Sequence, residues 1–359
     1  MNRFVFKLDW LLVFLIFILA SFSLLAIASV SPDNLKDQII FLLLGFLLLL
    51  IFSKIDYHFY GRFRWLLFAF STILILVTFF LGVAKRGSVR WIDLFGFSFQ
   101  PSEVLKPLII VYFASFLDKA GALSSKKILF ASLFVLLPGF FIFLQPDLGT
   151  SLIVFSIWLA MVFSAGISWP LLTAFLASFA LFVPLGWQFL KNYQKTRIFS
   201  FLNPQIDPLG SGYNLIQAVI AVGSGKLFGR GLGRGTQSHL RFLPEKHTDF
   251  IFASLAEEIG FLGSTFLVVV IFIFLIRILK LCFQSKDRLG YLMGIGIFSM
   301  LAVQFLVNIS MNLGIAPITG ITLPLISYGG SSIIAVFISL GILFNIFSQR
   351  RKTGGLEIR

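Results

Sequence analysis

Charge is scarce in this chain. Only 12% of its 359 residues are Asp, Glu, Lys or Arg, about half the share of roughly 25% found in soluble domains, so the charged shell of a water-borne globule is missing. Cysteine is nearly absent: Cys282 stands alone, can close no internal disulfide, and says nothing about redox compartment. The three histidines, His58, His239 and His247, show no ligand spacing with one another, which argues against a zinc cluster. Neither G-x-x-x-x-G-K-S/T nor G-x-G-x-x-G occurs, and no βαβ pattern surrounds the glycines, so a nucleotide fold is not expected.

What is present is apolar. Hydrophobic residues make up 58% of the chain, with 46 Phe. Crossing a hydrocarbon layer of roughly 30 Å takes about 20 apolar residues, and candidate runs fall at 10–30, 39–53, 65–84, 104–117, 128–144, 152–166, 170–190, 251–279, 291–309 and 331–348. Unpaired backbone groups are not tolerated in lipid, so these runs are predicted to be helices. The expected fold is all-α, a single polytopic transmembrane domain over 1–359 with about ten crossings. The first run imitates a leader, with Arg3 and Lys7 before it and Ala26-Ile27-Ala28 as a mock cleavage site. It is long for a signal core and nine more runs follow, so it is expected to be a retained helix.

With the N-terminus placed in the cytoplasm, inside segments hold 16 of the 29 basic residues and 5 of the 15 acids, leaving 13 and 10 outside. That bias follows the positive-inside rule and predicts both termini in the cytoplasm. The net charge of +14 is therefore mostly topological, and nucleic acid is not an expected partner.

One outer segment departs from the rule. Residues 191–250 carry Lys191, Lys195, Arg197, Lys226, Arg230, Arg234, Arg241 and Lys246 against Asp207, Glu245 and Asp249. Long loops translocate whatever their charge, yet cations gathered outside also suit an anionic ligand. Within it, GSGKLFGRGLGRG (223–235) reads equally as a phosphate cradle or as a flexible link. GYNLIQAVIAV (212–222) is apolar but too short to span, and suits an interfacial or re-entrant helix. In LPEKHTDFIFASLAEE (243–258), Asp249 stands where polar loop becomes apolar helix. Partial desolvation there moves a carboxyl toward the range of a working base; equally, Thr248 or Asp249 could cap the helix that follows. Spacing does not separate the two.

In FQPSEVLKP (99–107), Pro101 suits a first helical position and Glu103 and Lys106 share a helix face. An unpaired Lys at mid-membrane costs about 2.5–3.5 kcal/mol; pairing with Glu103 relieves this, as a structural brace or as part of a site. Asp147, in the turn QPDLG (145–149), is a second-rank acid. Residues 310–332 carry no charge but many Gly, Pro, Ser and Thr, which fits a re-entrant segment in a protein-walled cavity or an irregular connector.

These stretches carry a resemblance. WIDLFGFSFQPSEVLK (91–106), LQPDLGTS (144–151), NPQIDPLGSGYNLIQAVIAVGSGKLFGRGLGRGTQS (203–238), FLPEKHTDFIFASLAEEIG (242–260) and PITGITLPLISYGGSS (317–332) resemble the SEDS family (shape, elongation, division and sporulation proteins) across the whole chain. GTQS at 235–238 resembles its RodA branch more than the division-associated FtsW type. The resemblance implies a peptidoglycan glycosyltransferase of the cytoplasmic (inner) membrane, active on its outer face in cell elongation. The implied partners are lipid II, a class B penicillin-binding protein and membrane lipids. It implies that Asp249 is the essential loop aspartate and that Glu103 and Lys106 line or brace the cavity. Arg197, Arg230, Arg234, Lys246, His247, Thr248, Gln217, Gln237 and Ser327 are the expected substrate contacts. No cofactor is implied; a divalent cation stays open, with no motif to mark its ligands. The rival readings are a lipid II flippase and a non-enzymatic scaffold.

Overall fold

Helices account for nearly everything that the computed structural model describes, which is residues 9–349 apart from 86–87, 95–96, 120–124, 146, 172, 175–176, 178–187, 189–191, 209, 211 and 241. The first half contains α1 (Trp10–Val30), α2 (Leu35–Lys54), the short α3 (Tyr57–Arg62), α4 (Arg64–Leu81), α5 (Pro101–Lys119), α6 (Ser125–Leu144) and α7 (Leu148–Ser164). The second half contains α8 (Asn192–Leu202), α9 (Tyr213–Ser224), the single-turn α10 (Thr236–His239), α11 (Ile251–Phe283), α12 (Arg288–Asn312) and α13 (Gly330–Ser348). Nine of the ten apolar runs fall on these helices; the tenth, 170–190, lies largely outside the described residues. By length and composition alone, five are long and apolar enough to cross a membrane: α1, α11, α12, α13 and Pro32–Lys54, which includes α2. The protein is a polytopic α-helical membrane protein.

One element was not expected. Between α4 and α5 the chain forms a three-stranded antiparallel sheet, β1 (Val83–Lys85), β2 (Ser88–Leu94) and β3 (Phe97–Phe99). Val83 pairs with Trp91 and Lys85 with Ser88; Ile92 pairs with Phe99 and Leu94 with Phe97. The sequence signal was there, in short β-branched and aromatic runs separated by Arg86-Gly87 and Phe95-Gly96.

The packing has a lipid-facing exterior and a small-residue interior. Trp10, Phe14, Phe17, Leu43 and Leu47 on α1 and α2 are exposed, whereas α13 is almost entirely buried. It meets α2 closely because Gly341 lets the backbone in: a Cβ there would stand 2.8 Å from the Leu49 carbonyl. Small residues serve this role wherever helices must approach without a solvent-driven force between them.

Side-chain contacts sort the helix termini into two ends. At one end Arg277 of α11 pairs with Asp9, which caps α1 by accepting from Leu12 N at 2.9 Å. At the same end, Asn345 of α13 accepts from Tyr57 N at 3.0 Å and Arg288 of α12 donates to the Ala165 carbonyl at 3.0 Å. The described chain therefore begins and finishes at one end. The sheet, the 236–250 segment and the starts of α5, α7, α11 and α13 occupy the other.

Candidate active site at the Asp249 end

Asp249 is half-buried and stands two residues before α11. The N-cap position of α11 is Phe250, rather than Thr248 or Asp249, and Phe250 makes no side-chain cap. Instead the backbone of the HTD turn is held by hydrogen bonds from other elements. Tyr328 N donates to the His247 carbonyl at 2.9 Å, and Ser327 Oγ donates to the Thr248 carbonyl at 2.6 Å. Asn308 and Asn312, one turn apart on α12, each donate to the Asp249 carbonyl at 3.0 Å. Asn312 also accepts from Ala253 N at 3.0 Å, tying α12 to the first turn of α11. Consecutive carbonyls fixed from two directions give a carboxylate on a rigid mount, as a catalytic group needs.

The uncharged 310–332 segment provides much of that mount. Residues 313–329 form no helix, and Leu323, Leu325, Ile326 and Ser327 are buried. Irregular backbone at membrane depth is tolerated where protein surrounds it. Ser327 Oγ also accepts from Leu323 N at 2.8 Å, so this expected substrate contact is spent inside the scaffold.

Glu103 and Lys106 meet as their spacing predicts. Lys106 Nζ donates to Glu103 Oε2 at 2.7 Å, with the lysine side chain 1% exposed. Pro101 opens α5. Beside the pair, Gln100 Nε2 donates to Asp147 Oδ2 at 3.1 Å, while Asp147 caps α7 through Thr150 N and Thr150 Oγ1. Gln100 N donates to Ser331 Oγ at 3.0 Å. Both polar clusters are thus fastened to the same stretch: Thr248 through Ser327, and the Gln100 turn through Ser331.

The glycine-rich stretch 223–235 is neither a loose link nor an open cradle. It lies against α11 where Gly260, with φ +68°, breaks the helix. Arg230 N and Gly231 N donate to the Glu257 and Glu258 carbonyls, both at 3.0 Å. In return, Phe261 N and Leu262 N donate to the Lys226 and Leu227 carbonyls at 2.7 and 3.1 Å. Four exchanged bonds replace those that the break removes. Gly229 and Gly260 both have positive φ and press backbone to backbone, where any Cβ would collide. The amides of residues 230 and 231 are consumed by this packing, which corrects the phosphate-cradle reading.

Other expected contacts are scattered over the same end. Arg230 is exposed, with its Nε 3.2 Å from Ser224 Oγ and 3.9 Å from Glu257 Oε1. Arg197 is exposed and donates to the Ile318 carbonyl at 3.4 Å; Arg234 is exposed. Lys246 Nζ donates to the Ser238 carbonyl at 2.6 Å, and Thr248 Oγ1 to Glu245 Oε2 at 3.0 Å. The His247 ring lies 5.6 Å from Tyr328. Gln237 gives its backbone N–H to Glu257, and Gln217 is half-buried on α9, next to the buried Ala218. The interfacial-helix expectation for 212–222 is met in form by α9. Sequence reasoning passed over Glu257, Glu258, Asn308 and Asn312. For the glutamates the signal was plain, two adjacent acids inside an apolar run; for the asparagines it was two amides at i, i+4.

A different ionic cluster sits at the opposite end. His58 bridges Asp56 at 2.8 Å and Asp287 at 2.7 Å, and Tyr57 OH donates to Asp287 at 2.8 Å. Burial alone would lower the His58 pKa, but hydrogen bonds and charge from the two carboxylates raise it above 6.5. A raised histidine stabilises the fold fully below its unfolded pKa and loses that contribution as pH rises through the folded value. His58→Gln is therefore expected to lower the thermal unfolding midpoint at about pH 6 and to matter little at about pH 9. The histidine is 44% exposed, so solvent screening holds the effect to the order of 0.5 kcal/mol. An equal loss at both pH values would show that the bridge is not ionic.

The family model of FtsW/RodA/SpoVE cell cycle proteins matches residues 3–352. The peptidoglycan glycosyltransferase MrdB of Escherichia coli K12 is 36% identical over 349 residues, covering 96% of this chain and 94% of that protein. A chain from a solved peptidoglycan synthase complex superposes with a TM-score of 0.81 at 30% identity, covering 96% of this chain and 98% of the other. The rod shape determining protein RodA of Thermus thermophilus superposes at 0.72 with 28% identity and the same coverage. With a match over nearly its whole length, the chain belongs to the FtsW/RodA/SpoVE family of cell cycle proteins.

Proposed function

We propose that this protein is a peptidoglycan glycosyltransferase of the elongation type, which polymerises lipid II on the outer face of the cytoplasmic membrane beside a class B penicillin-binding protein. The observation that carries the reading is the Asp249 turn, a carboxylate at the head of α11 whose flanking carbonyls are pinned by Tyr328, Ser327, Asn308 and Asn312. The relative named peptidoglycan glycosyltransferase MrdB and the neighbour described as coordinating polymerization and crosslinking support the reaction class.

The chemistry requires a base, a cation and a dry wall. Asp249 takes the proton from the acceptor GlcNAc 4-hydroxyl as that oxygen attacks C1 of the donor MurNAc. The C1–phosphate oxygen bond breaks, and undecaprenyl pyrophosphate leaves with the electron pair. Cations stabilise the charge that grows on it; Arg197, Arg234 and Lys246 are the candidates. Arg230, exposed beside Glu257, is a further candidate, and Glu103–Lys106 is assigned to bracing the cavity wall. The Asp249 end faces outward and both termini face the cytoplasm, as the loop charges support.

Arg197→Gln and Arg234→Gln are expected to weaken lipid II use while cysteine-accessibility labelling reports unchanged orientation. Contacts shared by substrate and transition state raise KM; contacts to the departing pyrophosphate lower kcat. Arg197 is expected to matter most, with a kcat effect for at least one arginine. Steady-state kinetics with unaltered kcat and KM in both variants would put the pyrophosphate site elsewhere.

The test of function is incubation of the purified full-length protein with labelled lipid II, with and without its transpeptidase partner, followed by resolution of glycan products on a gel. Polymer ladders that disappear with Asp249→Ala are expected. Lipid II crossing vesicles without polymer would favour a flippase, and partner-dependent polymer that is indifferent to Asp249 would favour a scaffold.

A further inference from the structure

Glu257 is wholly buried near the start of α11, two turns after Asp249, and none of the chemistry above uses it. Its carboxylate gathers the stretch 236–238. Oε1 accepts from Gln237 N at 2.9 Å and from Thr236 Oγ1 at 3.1 Å. Oε2 accepts from Ser238 N and Ser238 Oγ, both at 3.1 Å. Gly235 is what lets the chain come so near, since a Cβ there would stand 2.7 Å from Glu257 Oε2.

Ser238 is held through both of its backbone groups. Its N–H is given to Glu257, and its carbonyl accepts from Lys246 Nζ at 2.6 Å. The two groups belong to adjacent peptide units that meet at the Ser238 Cα, so holding the first on the carboxylate restrains the orientation of the second, which receives the ammonium. The Lys246 carbonyl in turn accepts from Ser254 Oγ at 3.3 Å, and His247, Thr248 and Asp249 follow directly. One end of the turn is thus anchored through Lys246; the other is anchored by Asn308 and Asn312 on the Asp249 carbonyl.

We infer that Glu257 is a positioning residue for glycosyl transfer: through the 236–238 stretch it fixes the Lys246 ammonium, and with it the turn that carries Asp249. The inference rests on the catalytic role proposed for Asp249. Glu257→Gln puts an N–H where the carboxylate receives donors, which loosens the hold on Ser238 N and Oγ without shortening the side chain. Misplacing a reacting group by about 1 Å costs up to roughly 100-fold in rate, whereas loss of general stability acts through the amount of folded protein.

The experiment is steady-state polymerisation of labelled lipid II by full-length protein with its partner, comparing wild type, Glu257→Gln, Lys246→Met, the double variant and Asp249→Ala. Glu257→Gln is expected to lower kcat about tenfold to 100-fold with KM changed less than about threefold. Lys246→Met should do the same, the double should be no worse than the poorer single, and cooling should not restore the rate. An unchanged kcat in Glu257→Gln, or losses that multiply in the double, would overturn the inference. Should Glu257→Gln fail to fold, Ser238→Ala decides, because it removes one donor from the carboxylate: its kcat must fall with KM little changed, and an unchanged kcat overturns the inference. Normal polymerisation by Asp249→Ala would instead remove the catalytic reading itself.

Discussion

Replacing Asp249 by Ala or Asn is expected to abolish most glycan synthesis, with a loss of at least about 100-fold, because a positioned base contributes typically 10²–10⁴-fold. The protein should still fold and insert. Asn308 and Asn312 hold residue 249 by its backbone carbonyl, a contact that substitution of the side chain keeps. Removing the carboxylate therefore leaves the mount standing. Expression, detergent monodispersity and thermal unfolding of Asp249→Ala should match wild type while the polymer ladder is lost. A variant that unfolds would instead make Asp249 a structural residue.

Breaking the Glu103–Lys106 pair is expected to have the next largest effect. Lys106 is almost completely buried and donates to Glu103 at 2.7 Å, so either Ala substitution strands one charge in protein and lipid. Removing one partner of a buried pair costs about 3–5 kcal/mol, while removing both can be nearly neutral. Each single substitution should impair polymerisation and lower thermal stability, and the double should be no worse than the poorer single. Losses that simply add in the double-mutant cycle would contradict the coupling. The neighbouring Gln100–Asp147 contact lies outside the pair and should survive all three substitutions.

Hydrophobic length was enough to find the nine runs that fall on described helices, because a crossing helix must bury its own backbone polar groups and cannot disguise its apolar stretch. The i, i+3 spacing of Glu103 and Lys106 was enough to pair them. What stayed hidden depends on contacts distant in sequence. Whether Asp249 caps α11 turned on Asn308 and Asn312, some sixty residues away in the chain. Gly229 reads in sequence as freedom in a link; against Gly260 it is a collision avoided between two backbones. The same packing takes the amides of residues 230 and 231 out of the expected anion site. Ser327 reads as a polar group in a neutral segment, yet its hydroxyl is used twice inside the protein. The small sheet between α4 and α5 was missed because the apolar run 65–84 was read as one helix, although it reaches into β1.

The measurement that bears most directly on the account is the pH dependence of kcat for lipid II polymerisation, wild type against the residual activity of Asp249→Asn. A carboxylate that must be ionised to accept the acceptor's proton gives an acid limb, since kcat reports groups in the enzyme–substrate complex. Wild type is expected to lose rate tenfold per pH unit below that ionisation, while the small residual rate of Asp249→Asn stays flat across the same range. An identical acid limb in the asparagine variant, at a rate near wild type, would contradict the assignment of Asp249 as the base.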